Sequence, residues 1–209
     1  MQRTRRMMAS KHGKKPTLDS PEQLVLWAGT RDPFKIAEKL EIPVIHKNHP
    51  ESGLPGLTCL MSSRPAIFIN DAYFDNLMRK NPHYTEEIMN DDMAQVAAHE
   101  LGHACLHRKE LKTAPIREYQ IFDVHTTMEA EANEFAAGIR IDKEKLLSLL
   151  NSDYTLLQVA AAMHVNVNLL IYRIEMLRKE RHSFHELPYL PKNNFMGHIV
   201  GSGSSEWNV

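Results

Sequence analysis

The chain has 209 residues, 43% of them hydrophobic, and a formal net charge of −1. That is enough apolar material for one substantial buried core, with no global electrostatic case for nucleic acid or an anionic membrane as partner. No apolar run approaches the ~18 residues of a membrane span, and two cysteines, Cys59 and Cys105, make no disulfide framework, so a cytoplasmic setting is expected.

Residues 1–18 open with "MQRTRRMMASKHGKK", a basic stretch without the apolar core of a signal peptide, and are read as a flexible arm. The first helix is predicted in "LDSPEQLVLWAGTR", where Ser20 can cap and Pro21 suits the first helical position. A second falls in "DPFKIAEKLEI", with Asp32 as cap and Phe34, Ile36, Ala37 and Leu40 at helical spacing. "IPVIHK" reads as a strand. "LTCLMS" and "AIFIN" read as a hairpin joined by "SRP", and Asn70 and Asp71 could cap a helix through "AYFDNLMRK".

The segment Thr85 to His107 is predicted as one long helix, with Met93, Val96, Ala97, Leu101 and Ala104 as its apolar stripe. Lys109 to His125 reads as irregular, and a helix from about Thr127 to Arg140 follows it. Three shorter helical patterns come next, "DKEKLLSLLN", "TLLQVAAAMHV" and "NVNLLIYRIEMLRKER". The Pro-, Gly- and Ser-rich tail, residues 182–209, reads as flexible. The predicted fold class is α+β: mostly helical, with a small sheet packed on the long helix and helix-turn-helix-like helices at the C-terminus. The expected division is a main unit over 19–142 with a helical region, 143–181, packed on it.

The chemistry concentrates in "QVAAHELGHACLH". Residues four apart on a helix share a face, so His99 and His103 can present two imidazole nitrogens to one ion. Glu100 is offset from His99 by about 100°. It can reach a water on that ion more easily than the ion itself, which is the HExxH logic of two ligands and a general base. Ala97, Ala98, Gly102 and Ala104 would let another backbone approach.

The third ligand is sought in "TTMEAEANEFAAGI". Glu129 and Glu131 differ by about 200° around a helix, so only one can face the ion. Glu129 shares the inward face of Ala132, Phe135, Ala136 and Ile139, whereas Glu131 and Glu134 fall toward the other side, where Glu131 is expected to be a solvated charge. Asn133, one turn beyond Glu129, can hydrogen-bond a ligating histidine. Two histidines, one glutamate and an open position describe a catalytic Zn2+ site rather than a structural one. Cys105 is read as a small buried hydrophobe, and His107 as supporting the site rather than ligating.

With these residues the chain resembles the ImmA/IrrE family of zinc metallopeptidases. The matching segments are "AAHELGHACLH" and "EAEANEFAAGI", together with "DPFKIAEKLEIPVI", "LPGLTC", "AIFIN" and "LLQVAAAMHVNVNLLIYRIEML", over roughly residues 32–181. The resemblance implies a compact gluzincin-like fold. It implies Zn2+ held by His99, His103 and Glu129, with Glu100 as catalytic base. It also implies a protein substrate, in several members a helix-turn-helix repressor relieved by cleavage, in a setting of bacteria, phages and mobile elements. Candidate oxyanion donors are His107, Tyr119 and His125. A competing reading makes the chain a regulatory protein-binding or DNA-binding module with a vestigial or structural metal site. Its function would then lie in the C-terminal helices, although their apolar start, "NVNLLIYRI", suits packing better than a charged groove. A third reading keeps the enzyme but pairs it with a toxin–antitoxin or stress-response partner.

Overall fold

The two N-terminal helices start where the sequence supplies caps. In the computed structural model, which describes residues 16–112 and 124–182, α1 spans Pro21–Ala28 and α2 spans Pro33–Lys39. Ser20 accepts from the Gln23 amide and Asp32 from the Phe34 amide, each serving an N–H group that the first helical turn leaves unpaired.

Strands β1 (Val44–Lys47), β2 (Gly56–Met61) and β3 (Arg64–Asn70) form one sheet in the order β1-β3-β2. β1 runs parallel to β3 and β2 antiparallel to it. The hairpin is tighter than the "SRP" joint suggests. Its turn residues are Ser62 and Ser63, both in the left-handed region (φ 50° and 68°), the requirement of a two-residue hairpin that keeps the strands' twist. Arg64 and Pro65 already pair with Met61 and Leu60. Pro65 is tolerated because β1 begins pairing only at Ile67, so the proline nitrogen is missed by no neighbour.

Helix α3 covers Asp71–Lys80. Asn70 occupies its cap position but makes no capping bond. Its side chain turns to the loop between β1 and β2 instead, donating to the carbonyls of His49 and Leu54 (3.0 Å each) and accepting from the His49 amide (3.0 Å). A loop of Pro, Gly and Ser is thereby pinned just before Gly56, which matters for the site below.

The long helix α4 spans Glu86–Leu106 behind a Thr85 cap, and a 3-10 turn covers Glu110–Lys112. α4 is central: α2, α3, β2, β3 and the next helix, α5 (Val124–Arg140), all pack on it. Every residue from Ala94 to Cys105 is buried, polar ones included, so the stripe read from the sequence is only part of what it buries. α5 begins three residues earlier than its pattern predicts. Helices α6 (Lys143–Leu150), α7 (Leu156–Met163) and α8 (Val167–Lys179) follow, each with a side-chain cap from Asp142, Thr155 or Asn166. α8 lies on α5, burying Leu169, Leu170, Ile174 and Leu177, and its buried Arg173 pairs with Glu22 of α1 at 2.8 Å. Among the described residues no helix is long and apolar enough to cross a membrane. The expected basic arm, except residues 16–18, and nearly all of the expected tail lie outside the described residues.

One side chain secures the end of α5. Arg31 donates to the carbonyls of Gly138 (3.0 Å), Ile139 (3.1 Å) and Ile141 (3.2 Å), acceptors that a helix end leaves open, and pairs with Asp142 at 3.0 Å. Asp142 in turn caps α6 through the Lys145 amide. That amide, and against a burial penalty the Arg31 guanidinium, holds the Asp142 carboxyl below the usual aspartate range. Replacing the cap, Asp142→Ala, should cost about 1 to 2 kcal/mol at neutral pH in urea denaturation. A depressed folded pKa contributes stability above the unfolded value and loses it as pH falls through the folded one. The gap between wild type and variant should therefore close in acid below that range.

Candidate metal centre

The α4–α5 seam is built from small residues. A Cβ on Gly102 would lie 3.1 Å from the Cα of Ala132 and 3.2 Å from its carbonyl oxygen, so glycine is what lets the two backbones come together. His99 and His103 flank Gly102 on α4, and Glu129 and Asn133 flank Ala132 on α5. The close approach therefore brings the polar groups of both helices into one small volume.

There the ligand atoms converge. Nε2 of His99 and Nε2 of His103 are 3.0 Å apart. Glu129 lies 3.1 Å from the first through Oε2 and 3.4 Å from the second through Oε1. His99, His103 and Glu129 form the one cluster of potential ligands found among the described residues, with all donor atoms within 4.8 Å of one another. Ligands about 2.0 to 2.1 Å from a tetrahedral ion stand roughly 3.3 Å apart, close to the spacings seen. Both histidines are buried.

The proton positions point the same way. Nδ1 of His99 lies 2.8 Å from Oδ1 of Asn133, so His99 donates from Nδ1 and turns the lone pair of Nε2 toward Nε2 of His103 and the carboxylate. Were His103 also to turn a lone pair of Nε2 inward, the two nitrogens at 3.0 Å would repel, and a cation between them would remove the conflict. The donor set thus fits a divalent metal on its own geometry. The arrangement leaves Nδ2 of the fully buried Asn133 without a partner among the described residues.

Without a cation the cluster polarises. Burial pushes the Glu129 carboxyl up, but the hydrogen bonds and charges of His103 and His99 outweigh it and hold the group far below the usual carboxylate range. Burial pushes His103 down, yet Glu129 and the charge of Glu100 carry it above the ordinary histidine value. A carboxylate kept ionised beside two imidazoles is the state a metal would meet.

Glu100 is the fourth member. Its position depends on β2, a link that helix periodicity could not reveal. The fully buried Thr58 places its hydroxyl 2.7 Å from Oε2 of Glu100 and 2.9 Å from its main-chain oxygen. Two residues earlier on the same face, a Cβ at Gly56 would fall 2.6 Å from Cγ1 of Val96 and 3.2 Å from Oε1 of Glu100. Glycine keeps that oxygen uncovered and lets the strand settle on the helix. The sequence signal for this pair was "GLT" with period-two alternation, which aims Gly56 and Thr58 at one face once the strand is known.

Glu131 departs from its expected role. It is half exposed and faces away from Glu129, but its Oε2 lies 2.9 Å from Nε2 of His107. His107 is buried, with Nδ1 2.9 Å from Nδ1 of His103. With both ring nitrogens engaged, His107 is not placed as an oxyanion donor. Tyr119 and the side chain of His125 lie outside the described residues.

A buried HExxH helix under a small sheet, with a glutamate supplied by the following helix, is compatible with a metallopeptidase-type site. Residues 72–175 match the family model described as IrrE N-terminal-like domain, Peptidase_M78, and the chain belongs to this ImmA/IrrE family. No curated protein and no solved structure matches the chain.

Thr58→Val keeps the side-chain shape but leaves a buried carboxylate oxygen short of its donor. The expected loss is about 1 to 3 kcal/mol in chemical denaturation. Thr58→Ser should recover most of it, and equal losses in the two variants would contradict the hydroxyl's role.

Proposed function

We propose that the chain is a metal-dependent endopeptidase, holding Zn2+ through Nε2 of His99, Nε2 of His103 and the Glu129 carboxylate, with Glu100 as general base. The observation that carries this reading is the convergence of those three ligand groups beside a carboxylate fixed by Thr58. When bound, a divalent zinc ion supplies Lewis acidity and a water of lowered pKa.

The chain's own groups account for the rest. Thr58 donates to Oε2 of Glu100, which leaves Oε1 to receive a proton as water adds to the substrate carbonyl. Glu100 then returns that proton to the amide nitrogen as the carbon–nitrogen bond breaks, giving a carboxylate and an amine. Asn133 keeps His99 in the tautomer that presents Nε2. Burial of the site excludes bulk water and strengthens each of these interactions.

The substrate is taken to be a helix-turn-helix repressor and the setting cytoplasmic, in line with the family and with an α8 committed to packing. Leu169, Leu170, Ile174 and Leu177 are spent on the interior, which favours the peptidase over a DNA-binding reading. Incubation with a repressor encoded beside the gene, with and without chelator and with mass mapping of fragments, tests this directly. Glu100→Gln should retain one metal per chain by elemental analysis and lose at least about a hundredfold in turnover. His99→Ala, His103→Ala and Glu129→Ala should lose metal and turnover together. Undiminished cleavage by Glu100→Gln would refute the assignment.

A further inference from the structure

We infer that His107 and Glu131 form, with His103, a proton-ordered chain that positions the metal site: Glu131 fixes His107, and His107 fixes the tautomer and ring angle of His103. The inference rests on the metal reading above but not on the peptidase reading.

The order of protons follows from the ends inward. Nε2 of His103 faces Nε2 of His99 and Glu129, so as a ligand it offers a lone pair and carries its ring proton on Nδ1. Among the described residues the partner for that proton is Nδ1 of His107 at 2.9 Å, which must accept. His107 then holds its own proton on Nε2 and donates it to Oε2 of Glu131 at 2.9 Å. Every nitrogen has one role, and the chain terminates on an anion. The opposite order would make His107 donate from Nδ1 to His103 and turn a lone pair of its Nε2 against a carboxylate oxygen at 2.9 Å.

The spacing explains how two carboxylates of one helix serve one ion. Glu129 and Glu131 lie on different sides of α5. The first meets the ligating nitrogens and the second meets the residue one turn beyond them on α4. α5 thus braces His103 from both ends, and Asn133 braces His99. His107 is 4% exposed, so its bond to His103 is sheltered, whereas the Glu131 side chain is 53% exposed and its bond to His107 is partly screened by solvent. The histidine should therefore matter more than the carboxylate.

The test measures Zn2+ affinity of the full chain by competition with a chromophoric chelator, so it needs no substrate. His107→Asn supplies an amide oxygen near the place of Nδ1, whereas His107→Leu fills the space without an acceptor. The chain predicts Zn2+ affinity ten- to a hundredfold weaker in His107→Leu, and largely recovered in His107→Asn. Glu131→Gln should weaken affinity by no more than about fivefold. If His107 merely packs, the apolar variant is the benign one, and an affinity for His107→Leu equal to or better than that of His107→Asn overturns the proposal. Should His107→Leu fail to fold, nitrogen-15 correlation spectra of the zinc-loaded wild type decide. His103 protonated at Nδ1 and His107 at Nε2 is the expected pair, and His107 protonated at Nδ1 overturns it. Wild-type protein that binds Zn2+ in this pattern yet cleaves nothing would refute only the peptidase reading.

Discussion

The close contact of α4 with α5 is the constraint on which the site depends. Gly102 against the backbone of Ala132 removes the spacing that two ordinary side chains would impose, and His99, His103 and Glu129 are carried into reach of one another as a consequence. As metal ligands the three groups would turn lone pairs on one another, an arrangement that calls for a cation. The surrounding core, with Ala98, Leu101, Ala132 and Ala136 fully buried, fixes the helices independently of these groups. Packing thus holds the polar groups of the two helices together.

A second layer then fixes orientation. Each of the two clustered imidazoles has a partner on its far nitrogen, Asn133 for His99 and His107 for His103. The Glu100 carboxylate, the proposed base, is fixed from a different direction, by β2. The sheet is small, but its edge strand carries Gly56 and Thr58 to Glu100, and the loop before it is tied down by Asn70. Helices therefore supply the proposed ligands, and the strand orients the proposed base. Arg31 and Arg173 join the N-terminal helices to α5 and α8, so the frame around the seam is closed at both ends.

Much of this was legible in the residues. Caps at Ser20 and Asp32 mark helix starts because the local hydrogen bond is written in the sequence. The helical faces distinguish Glu129 from Glu131 and place Asn133 beside a histidine, since those relations need only the angle per residue. What stayed hidden depends on contacts between distant segments. Thr58 is an ordinary strand threonine until β2 is laid on α4. Glu131 reads as a solvated charge until His107 is placed opposite it. Asn70 suits a helix cap by type but is captured by a loop that offers it three partners. The hairpin joint is read as Ser63–Pro65 rather than Ser62–Ser63 because the two serines lack the Asn-Gly signature that usually announces left-handed turn residues.

The most direct test of the central claim is X-ray absorption spectroscopy at the zinc edge on protein loaded with one equivalent of metal. The account predicts two imidazole nitrogens and carboxylate or water oxygen at about 2.0 to 2.2 Å, with no sulfur, a signature lost in His103→Ala. A sulfur shell near 2.3 Å, implicating Cys59 or Cys105, or a protein that retains no metal after loading, would contradict it.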